Sequence, residues 1–404
     1  MKVNLVCHGR FLAFEIAREL KRRASLGALY TSTPLFGGRV RLEDYQLDRR
    51  DVFSYPWPMV FQILATRCCF DKKAALHARR WANRWFCQWV RGKIHVCDVV
   101  HVWAGHALEV FRLADEWGSL KVLDRASAHR KWNRELLTRE YKSLGEDYIE
   151  LDCSVERELE EYEQADVIVV PSGFAKSTFE QEGFPSEKVV VIPFGAPCER
   201  VGPARRPGGC FRVIYVGAQT IRKGTRYFYQ AAAALASHGE MEFVIVGPGP
   251  EKALRREFEE YRWAVRYLGY KTKRELHEEV YPTASVLVQP SLSEGLSYVV
   301  LEALSHGVPV IATPSTGCGE VLRDGQEGFI IPPRDPDAIV ERIQFLHGNR
   351  DELERMSRNA WKATESTWTW EHYGERLVET YRAFLRKARP GVTKRDVATR
   401  GDER

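Results

Sequence analysis

The densest candidate chemistry lies in residues 285–304, which read SVLVQPSLSEGLSYVVLEAL. The apolar start of this segment predicts a buried strand that ends at Pro290, and a helix is predicted to begin near Ser297. A helix that begins there leaves the backbone amides of Gly295–Tyr298 as free donors, and such a helix N-terminus binds phosphate groups. The candidate contacts in this loop are Gly295, Leu296 and Ser297. The segment therefore predicts a site for a diphosphate.

Two glutamates flank the predicted amide site. Glu294 lies in the loop, whereas Glu302 lies inside the predicted helix, about 9 Å deeper at a rise of about 1.5 Å per residue. An extended nucleotide-sugar needs acceptors at two such positions, one for sugar hydroxyls and one for ribose hydroxyls, with donors for its phosphates between them. The alternative interpretation is a helix that Ser297 caps and that exposes two unrelated glutamates.

A second candidate segment is residues 213–224, which read VIYVGAQTIRKG. A predicted strand runs into Gly217, and a helix is predicted to follow Gly224. Arg222 and Lys223 at the start of that helix oppose its macrodipole, so an anion nearby is favoured. Arg222 offers paired donors to a leaving diphosphate and Lys223 a point charge, although a basic first turn on a surface helix remains the alternative.

The first half of the chain offers further candidates at the ends of predicted strands. Gly9 follows the first strand in the run VCHGRF and is a candidate contact of the nucleotide-sugar, but every α/β fold needs a turn of this kind. His129 follows another strand, where an ordinary surface histidine is the competing interpretation. His101 and Gly105, near the end of a third strand, complete this set.

Short apolar runs alternate with helix-length amphipathic segments, which predicts parallel sheets covered by helices. In the first half the predicted strands are Val3–Cys7, Ala28–Thr31, Val99–Trp103, Lys121–Asp124, Val167–Val170 and Val189–Ile192. In the second half they are Val213–Val216, Phe243–Val246, Val265–Leu268, Ser285–Gln289, Val308–Ala312 and Phe329–Ile331. Two doubly wound domains of this kind place a ligand cleft at the carboxyl ends of their strands.

The predicted domain boundaries follow composition. We expect a first domain over residues 1–193, a Pro- and Gly-rich linker over 194–210, and a second domain over 211–365. A helix over residues 366–388 is expected to cross back to the first domain, and the charged tail over 389–404 is expected to be disordered.

Composition indicates a globular protein of the cytosol. Of the 404 residues 44% are apolar and 28% charged, and the nine cysteines form no C-x-x-C pair, which favours reduced thiols. The net charge of +5 is too modest to indicate nucleic-acid binding. We therefore expect a cytoplasmic location, either free or peripheral at the inner face of a membrane.

One helix in the first domain carries a charge pattern of its own. Asp71–Lys93 holds seven basic residues against a single acid, with Trp81, Trp85 and Trp89 at four-residue steps. Such a helix is typical of contact with anionic membranes, and a helix that packs its tryptophans on the first sheet is the alternative.

No metal site is predicted. Asp335-Pro-Asp337 has the spacing of a metal-binding D-x-D, but Asp335 before Pro336 fits a helix N-cap followed by proline at the first helical position.

The two segments of the second half resemble the retaining nucleotide-sugar glycosyltransferases of family 4, the glycosyl transferases group 1. Glu294 and Glu302 are similar to that family's paired glutamates, and Gly217 through Arg222-Lys223-Gly224 resembles its diphosphate-binding segment. The similarity extends over roughly residues 97–388. One departure lies at Gly9-Arg10, where the family usually has two glycines.

The resemblance implies an α/β protein of the GT-B fold, with two Rossmann-like doubly wound domains that face each other across a cleft. The first domain would take the acceptor and the second the donor. It implies that Glu294 contacts the donor sugar, Glu302 the ribose, and Arg222 and Lys223 the diphosphate. His129 would contact a hydroxyl of the donor sugar.

The predicted function is that of a metal-independent, hexosyltransferase-type enzyme (EC 2.4) of polysaccharide biosynthesis. It would transfer a sugar from a UDP- or GDP-sugar, with no further cofactor, to a glycan, lipid-linked or small-molecule acceptor with retention of configuration. Two alternatives remain. The first is a sugar-nucleotide epimerase or phosphorylase, which shares the fold. A product assay with and without acceptor distinguishes it from a transferase, because an epimerase turns over the donor alone. A catalytically silent partner subunit would bind donor without turnover.

Overall fold

The computed structural model describes residues 1–36, 40–68, 72–197, 210–236 and 240–388. Most of the predicted linker and the whole of the predicted tail lie outside these residues. Among the residues described, no helix combines the length and the apolar character that crossing a bilayer requires.

Seven strands form the first sheet, in the order β3-β2-β1-β4-β5-β6-β7. They are β1 (Val3–Cys7), β2 (Leu26–Thr31), β3 (Val52–Ser54), β4 (Val99–Trp103), β5 (Leu120–Asp124), β6 (Val167–Val170) and β7 (Val189–Val191). The pairs from β3 to β6 run parallel. Strands β1, β4 and β6 are buried along their whole length, as expected for a sheet covered on both faces.

Six strands form the second sheet, in the order β10-β9-β8-β11-β12-β13, and all its pairs are parallel. They are β8 (Phe211–Val216), β9 (Met241–Val246), β10 (Arg266–Tyr267), β11 (Val286–Gln289), β12 (Val310–Ala312) and β13 (Gly328–Ile330). The buried core on this sheet includes Phe211, Tyr215, Phe228, Phe243 and Ile343.

Helices alternate with these strands. They are α1 (Ala13–Arg22), α2 (Trp57–Cys68), α3 (Lys72–Arg91), α4 (Leu108–Trp117), α5 (Arg130–Ser143), α6 (Asp152–Gln164), α7 (Gly173–Gln181), α8 (Thr225–Leu235), α9 (Arg255–Tyr261), α10 (Lys273–Glu275), α11 (Tyr298–Ser305), α12 (Pro336–Gly348), α13 (Arg350–Ser366) and α14 (Trp370–Ala388).

Every strand predicted from the sequence is present, with bounds shifted by at most two residues. Strand β3 was not predicted, because three residues at a sheet edge give no periodic signal. Helix α2 was likewise not predicted.

The chain divides into two compact units that interleave along the sequence. The first contains Met1–Asp124, Ile149–Val169 and the residues from Gly374 onward, and the second contains Arg125–Tyr148 and Val170–Tyr373. The sequence predicts a boundary near residue 193 and a return to the first domain over residues 366–388, but it does not predict that Arg125–Tyr148 belongs to the second unit.

Candidate functional site

The two candidate segments of the second half meet at the carboxyl edge of the second sheet. Strands β8 and β11 are parallel neighbours, and the Leu292 amide, after β11, donates to the Arg222 carbonyl, after β8, at 2.8 Å. Gly224 has φ 64°, and a Cβ there would lie 1.9 Å from the carbonyl oxygen of Pro290. The loops therefore pack backbone against backbone, at the edge where doubly wound sheets bind ligands.

This packing brings three charged side chains together. A guanidinium nitrogen of Arg222 lies 3.0 Å from Glu294 Oε2, and Lys223 Nζ lies 2.6 Å from Glu294 Oε1. Arg222 also donates to the carbonyl oxygen of Ser293 at 2.7 Å. Each carboxylate oxygen of Glu294 thus has its own cation, and Arg222 is held against the loop that carries Glu294.

The electrostatics of this cluster favour an ionised Glu294. Burial by itself raises the pKa of the Glu294 carboxyl, but Lys223 and Arg222 outweigh burial and hold that pKa below its ordinary value. Glu294 is therefore a carboxylate at neutral pH. The three side chains Glu294, Arg222 and Lys223 together carry one net positive charge.

Helix α11 begins directly after this cluster. Ser297 is its N-cap residue, but the Ser297 side chain makes no capping hydrogen bond. The Ser297 amide donates to the Thr316 carbonyl at 2.9 Å, so the prediction that this amide is a free donor is wrong. Within the part of the chain that the structure describes, the Gly295 and Leu296 amides make no hydrogen bond, so they remain as donors.

Gly295 is fixed by close backbone contact. A Cβ at Gly295 would lie 2.2 Å from the carbonyl oxygen of Ala126. The Ser172 hydroxyl donates to the Gly295 carbonyl. The orientation of the neighbouring amides is therefore determined by contacts that only a glycine allows.

Glu302 lies inside α11 and is buried, so the interpretation of two exposed, unrelated glutamates is wrong for Glu294 and Glu302 alike. The Tyr281 hydroxyl donates to Glu302 Oε2 at 2.8 Å, and His277 Nε2 lies 3.7 Å from Glu302 Oε1. His277 comes from a π-helical turn over Leu276–Val280, a conformation found frequently at functional sites.

Four residues around the site were not singled out from the sequence. Glu251 accepts from the Ile221 amide at 2.6 Å and from the Tyr141 hydroxyl at 2.6 Å, and so supports the turn that carries Arg222. Glu251 and Tyr141 are two of the four residues, and the other two are Tyr281 and His277, which hold Glu302. Each reaches its partner from a segment remote in sequence, so no local pattern indicates it.

Two further predicted site residues of the second unit, Gly217 and His129, make contacts outside the Glu294 cluster. The Gly217 amide donates to the Val246 carbonyl at 2.8 Å, which ties the end of β8 to β9. His129 is buried, and its ring lies 4.8 Å from that of Phe179 and 5.5 Å from that of Phe184. The structure brings Glu294, Arg222 and Lys223 together, whereas the His129 ring packs on the rings of Phe179 and Phe184.

In the first unit, Gly9 ends the turn after β1. Its carbonyl oxygen accepts from Thr31 Oγ1 at 2.8 Å, and it has φ 112°. Arg10 donates to the hydroxyl of Tyr45. Nearby, His101 is buried between Tyr381 and Asp124, so it supports the fold.

The D-x-D spacing is explained by a helix cap, as predicted. Asp335 accepts from the Ala338 amide at 2.9 Å at the start of α12, and Pro336 follows it. Among the described residues, no group of three or more His, Cys, Asp or Glu side chains is arranged to hold a metal ion.

Comparison with known proteins gives both sequence and structural matches. The family model of Glycosyl transferases group 1 matches residues 210–349. The D-inositol 3-phosphate glycosyltransferase of Corynebacterium urealyticum is 30% identical over 261 residues, which cover 58% of this chain and 61% of that protein.

The sucrose-phosphate synthase of Thermosynechococcus elongatus has a similar structure, with a TM-score of 0.70 and 16% identity over 96% of this chain and 100% of that one. HepE of Anabaena, in complex with UDP and glucose, has a TM-score of 0.66 and 14% identity over 94% of this chain and 99% of that one. These similarities confirm the predicted fold class, an α/β protein of GT-B type with two Rossmann-like parallel sheets.

Proposed function

We propose that this protein is a glycosyltransferase, because the family model of Glycosyl transferases group 1 matches residues 210–349 and the sequence resemblance implies the same activity. It transfers a sugar from a nucleotide-sugar to a glycan, lipid-linked or small-molecule acceptor with retention of configuration. The observation that carries the proposal is the cluster of Glu294, Arg222 and Lys223 beside the two available amides at the start of α11.

The cluster is suited to stabilise a nucleoside diphosphate as it leaves the donor sugar. Arg222 and Lys223 supply positive charge, and the Gly295 and Leu296 amides supply donors at the positive end of a helix. Both features act on the charge that develops on the diphosphate when the bond to the sugar breaks. Glu294, fixed as a carboxylate, accepts from hydroxyls of the sugar.

Glu302 supplies the second acceptor position. Its Oε2 accepts from the Tyr281 hydroxyl, and Oε1, which lies 3.7 Å from His277 Nε2, accepts from the ribose hydroxyls of the nucleotide. HepE, which shares the fold, was solved with UDP and glucose, so a UDP-sugar is the first donor to test and a GDP-sugar the second.

His129 and Gly9 take lesser places in the proposal. We keep His129 as a contact of a donor-sugar hydroxyl, for which its ring would have to leave the Phe179 and Phe184 rings. Gly9, in the turn after β1, belongs to the side that receives the acceptor.

Transfer is expected to proceed without a divalent metal, because Arg222, Lys223 and the amides at the start of α11 can together neutralise the charge of the diphosphate. A chelator should leave the rate unchanged. Loss of activity in chelator that added Mg²⁺ or Mn²⁺ restores would contradict this.

The proposal extends to where the protein works. We place it in the cytoplasm, peripheral at the inner face of the membrane, with helix α3 and its predicted span Asp71–Lys93 as the contact. Trp81, Trp85, Arg80 and Arg84 of that helix are all exposed, which supports contact with anionic lipid over internal packing for these four.

The deciding experiment is equilibrium binding followed by a product assay. UDP-glucose and GDP-mannose are titrated by calorimetry into the full-length protein and into the Glu294→Gln variant, and the better donor is then incubated with and without an acceptor panel. Donor binding that Glu294→Gln weakens, with a product only when acceptor is present, supports the proposal. Conversion of donor alone indicates an epimerase, and binding without product across the panel indicates a silent subunit.

A further inference from the structure

Helices α2 and α3 of the first unit pack on each other and present large apolar side chains to solvent. On α2 the exposed residues Trp57, Phe61 and Leu64 follow the three- and four-residue spacing of a single helix face. On α3 the exposed residues are Trp81 and Trp85, one turn apart. These five side chains are between 43% and 66% exposed. Large apolar side chains grouped on a protein surface in this way mark a site of contact with a membrane or another protein.

The two helical faces lie close together. The Trp85 ring lies 5.8 Å from that of Tyr55, two residues before the start of α2. Trp85 of α3 therefore lies near the first turn of α2, which carries Trp57, and Trp81 lies one turn away along α3. We call the surface formed by Trp57, Phe61, Leu64, Trp81 and Trp85 the aromatic face.

A basic stripe runs beside the aromatic face. Lys73, Arg80, Arg84 and Arg91 are all exposed, and at 100° per residue they lie within about 40° of one another around α3. Neither α2 nor α3 contains an aspartate or glutamate. Apolar anchors beside uncompensated positive charge fit an anionic lipid bilayer better than they fit a protein partner with a mixed surface.

The inner side of the same two helices reaches the turn after β1. His8 Nε2 lies 3.2 Å from Oε1 of Gln62, which is on α2, and His8 Nδ1 lies 2.6 Å from the Ser32 hydroxyl. The His8 ring also lies 5.0 Å from that of Phe86, which is on α3, and 5.4 Å from that of His106. The turn at Gly9 is therefore walled by α2 and α3.

These polar groups are suited to a neutral ligand with hydroxyls. Burial lowers the pKa of His8 to about 4, and Arg79 lowers it further against the opposing hydrogen bond to Gln62. Burial also lowers the pKa of His106, and electrostatic interactions with His8 and Arg157 lower that pKa further. Both imidazoles are uncharged at neutral pH and therefore able to donate and accept hydrogen bonds with hydroxyls, while the exposed Arg79 on α3 carries a charge that suits a phosphate.

We propose that the acceptor is anchored in lipid: the aromatic face and the basic stripe rest on an anionic bilayer, and the acceptor's polar head enters at His8, Gln62 and Arg79. This inference rests on the proposed sugar transfer and chooses among its three acceptor classes. One pair of helices then carries both functions, since its outer faces bind the bilayer and its inner faces line the acceptor turn.

The first test is sedimentation of the full-length protein with vesicles of phosphatidylcholine and phosphatidylglycerol, and with phosphatidylcholine alone. Wild type should sediment with the mixed vesicles only. Arg80→Glu with Arg84→Glu should lower the bound fraction by at least about tenfold. Trp57→Ser with Trp81→Ser should also lower the bound fraction, because it removes one anchor from each helix.

Two matched controls in the second unit separate this effect from a general change in charge or folding. Arg255→Glu with Arg256→Glu makes the same charge change at exposed residues of α9. Trp263→Ser removes a tryptophan that is 68% exposed, against 66% for Trp81. Both controls should bind like wild type. Equal loss in the controls, or no binding by wild type, would overturn the bilayer contact.

The second test compares how acceptors are presented. Hexadecyl glycosides and polyprenyl-phosphate-linked sugars in mixed vesicles are assayed against the methyl glycosides of the same sugars. Arg80→Glu with Arg84→Glu should slow only the vesicle-borne transfer, whereas His8→Ala should raise the acceptor KM and leave donor binding unchanged. Transfer to methyl glycosides that equals transfer in vesicles would overturn the inference while leaving sugar transfer intact. Vesicle binding without any donor binding by calorimetry would instead refute the proposed function.

Discussion

At the scale of single residues, the site depends on a carboxylate held between two cations. Glu294→Gln removes the charge that pairs with Arg222 and Lys223, and Arg222→Ala removes the proposed donor to the leaving diphosphate. Each change acts where charge develops in the transition state, so each should slow transfer on the order of a hundredfold or more. Steady-state kinetics with the better donor measure this.

The chain offers a matched control for that prediction. Glu242 is also a carboxylate between two cations, 2.7 Å from Arg212 and 2.8 Å from Arg266, but it lies near the start of β9, away from the carboxyl edge. Glu242→Gln should therefore have near-wild-type kinetics. Equal rates for all these variants would remove Glu294 and Arg222 from the donor site.

Glu302 is expected to act in binding more than in turnover. Glu302→Ala should raise the donor KM with a smaller effect on kcat. Tyr281→Phe deletes the hydroxyl that positions Glu302, and the loss of one hydrogen bond of about 1 kcal/mol should raise the donor KM about fivefold. Tyr162→Phe, which deletes a buried tyrosine hydroxyl bonded to Glu158 in the first unit, is the control. A change in kcat alone would contradict a binding role.

At the scale of elements, the site exists because two loops touch through their backbones. Gly224→Ala puts a Cβ in the left-handed region and 1.9 Å from the Pro290 carbonyl oxygen, so the loops must separate. Gly325→Ala has the same backbone strain at φ 72°, with no atom within 4 Å of the added Cβ. We expect Gly325→Ala to cost about 1–2 kcal/mol of unfolding free energy. Gly224→Ala should cost about 1–3 kcal/mol more and weaken donor binding.

Thermal unfolding and donor titration of the two glycine variants check this. The result that contradicts it is equal destabilisation, since the contact between the loops would then contribute nothing. The comparison isolates the contact because both glycines have nearly the same φ, 64° and 72°.

The elements themselves were largely predictable, because buried parallel strands are uninterrupted runs of Val, Ile and Leu. Strands β1, β4 and β6 match their predicted bounds. The site was predictable only where its residues follow those strands. Tyr281 escaped prediction because its partner Glu302 is twenty-one residues away on another helix. The free amide predicted at Ser297 was wrong, because the competing acceptor at Thr316 comes from a separate loop.

At the scale of the whole molecule, the units do not follow the order of the sequence. The segment Arg125–Tyr148 belongs to the second unit. Its Tyr141 bonds Glu251 at 2.6 Å, and its Glu140 accepts from Arg334 at 2.7 Å. Composition places a boundary where glycine and proline accumulate, but it contains no information about contacts between residues 110 or 194 positions apart. The boundary predicted near residue 193 therefore could not include this exchange.

The stereochemical outcome depends on which group takes the acceptor's proton. An inverting reaction needs a general base with a free oxygen and a suitable pKa on the face opposite the leaving group. Glu294 is a poor base, because both its oxygens are paired with cations and those cations hold its pKa below the ordinary value. In the proposed reaction its site stabilises the departing diphosphate, and an oxygen of that diphosphate can take the proton on the face where the bond breaks. The acceptor then attacks from that same face, so we expect an α-linked donor to give an α-linked product. Proton NMR of the first product formed is the measurement, and a β-linked product would refute the retaining mechanism.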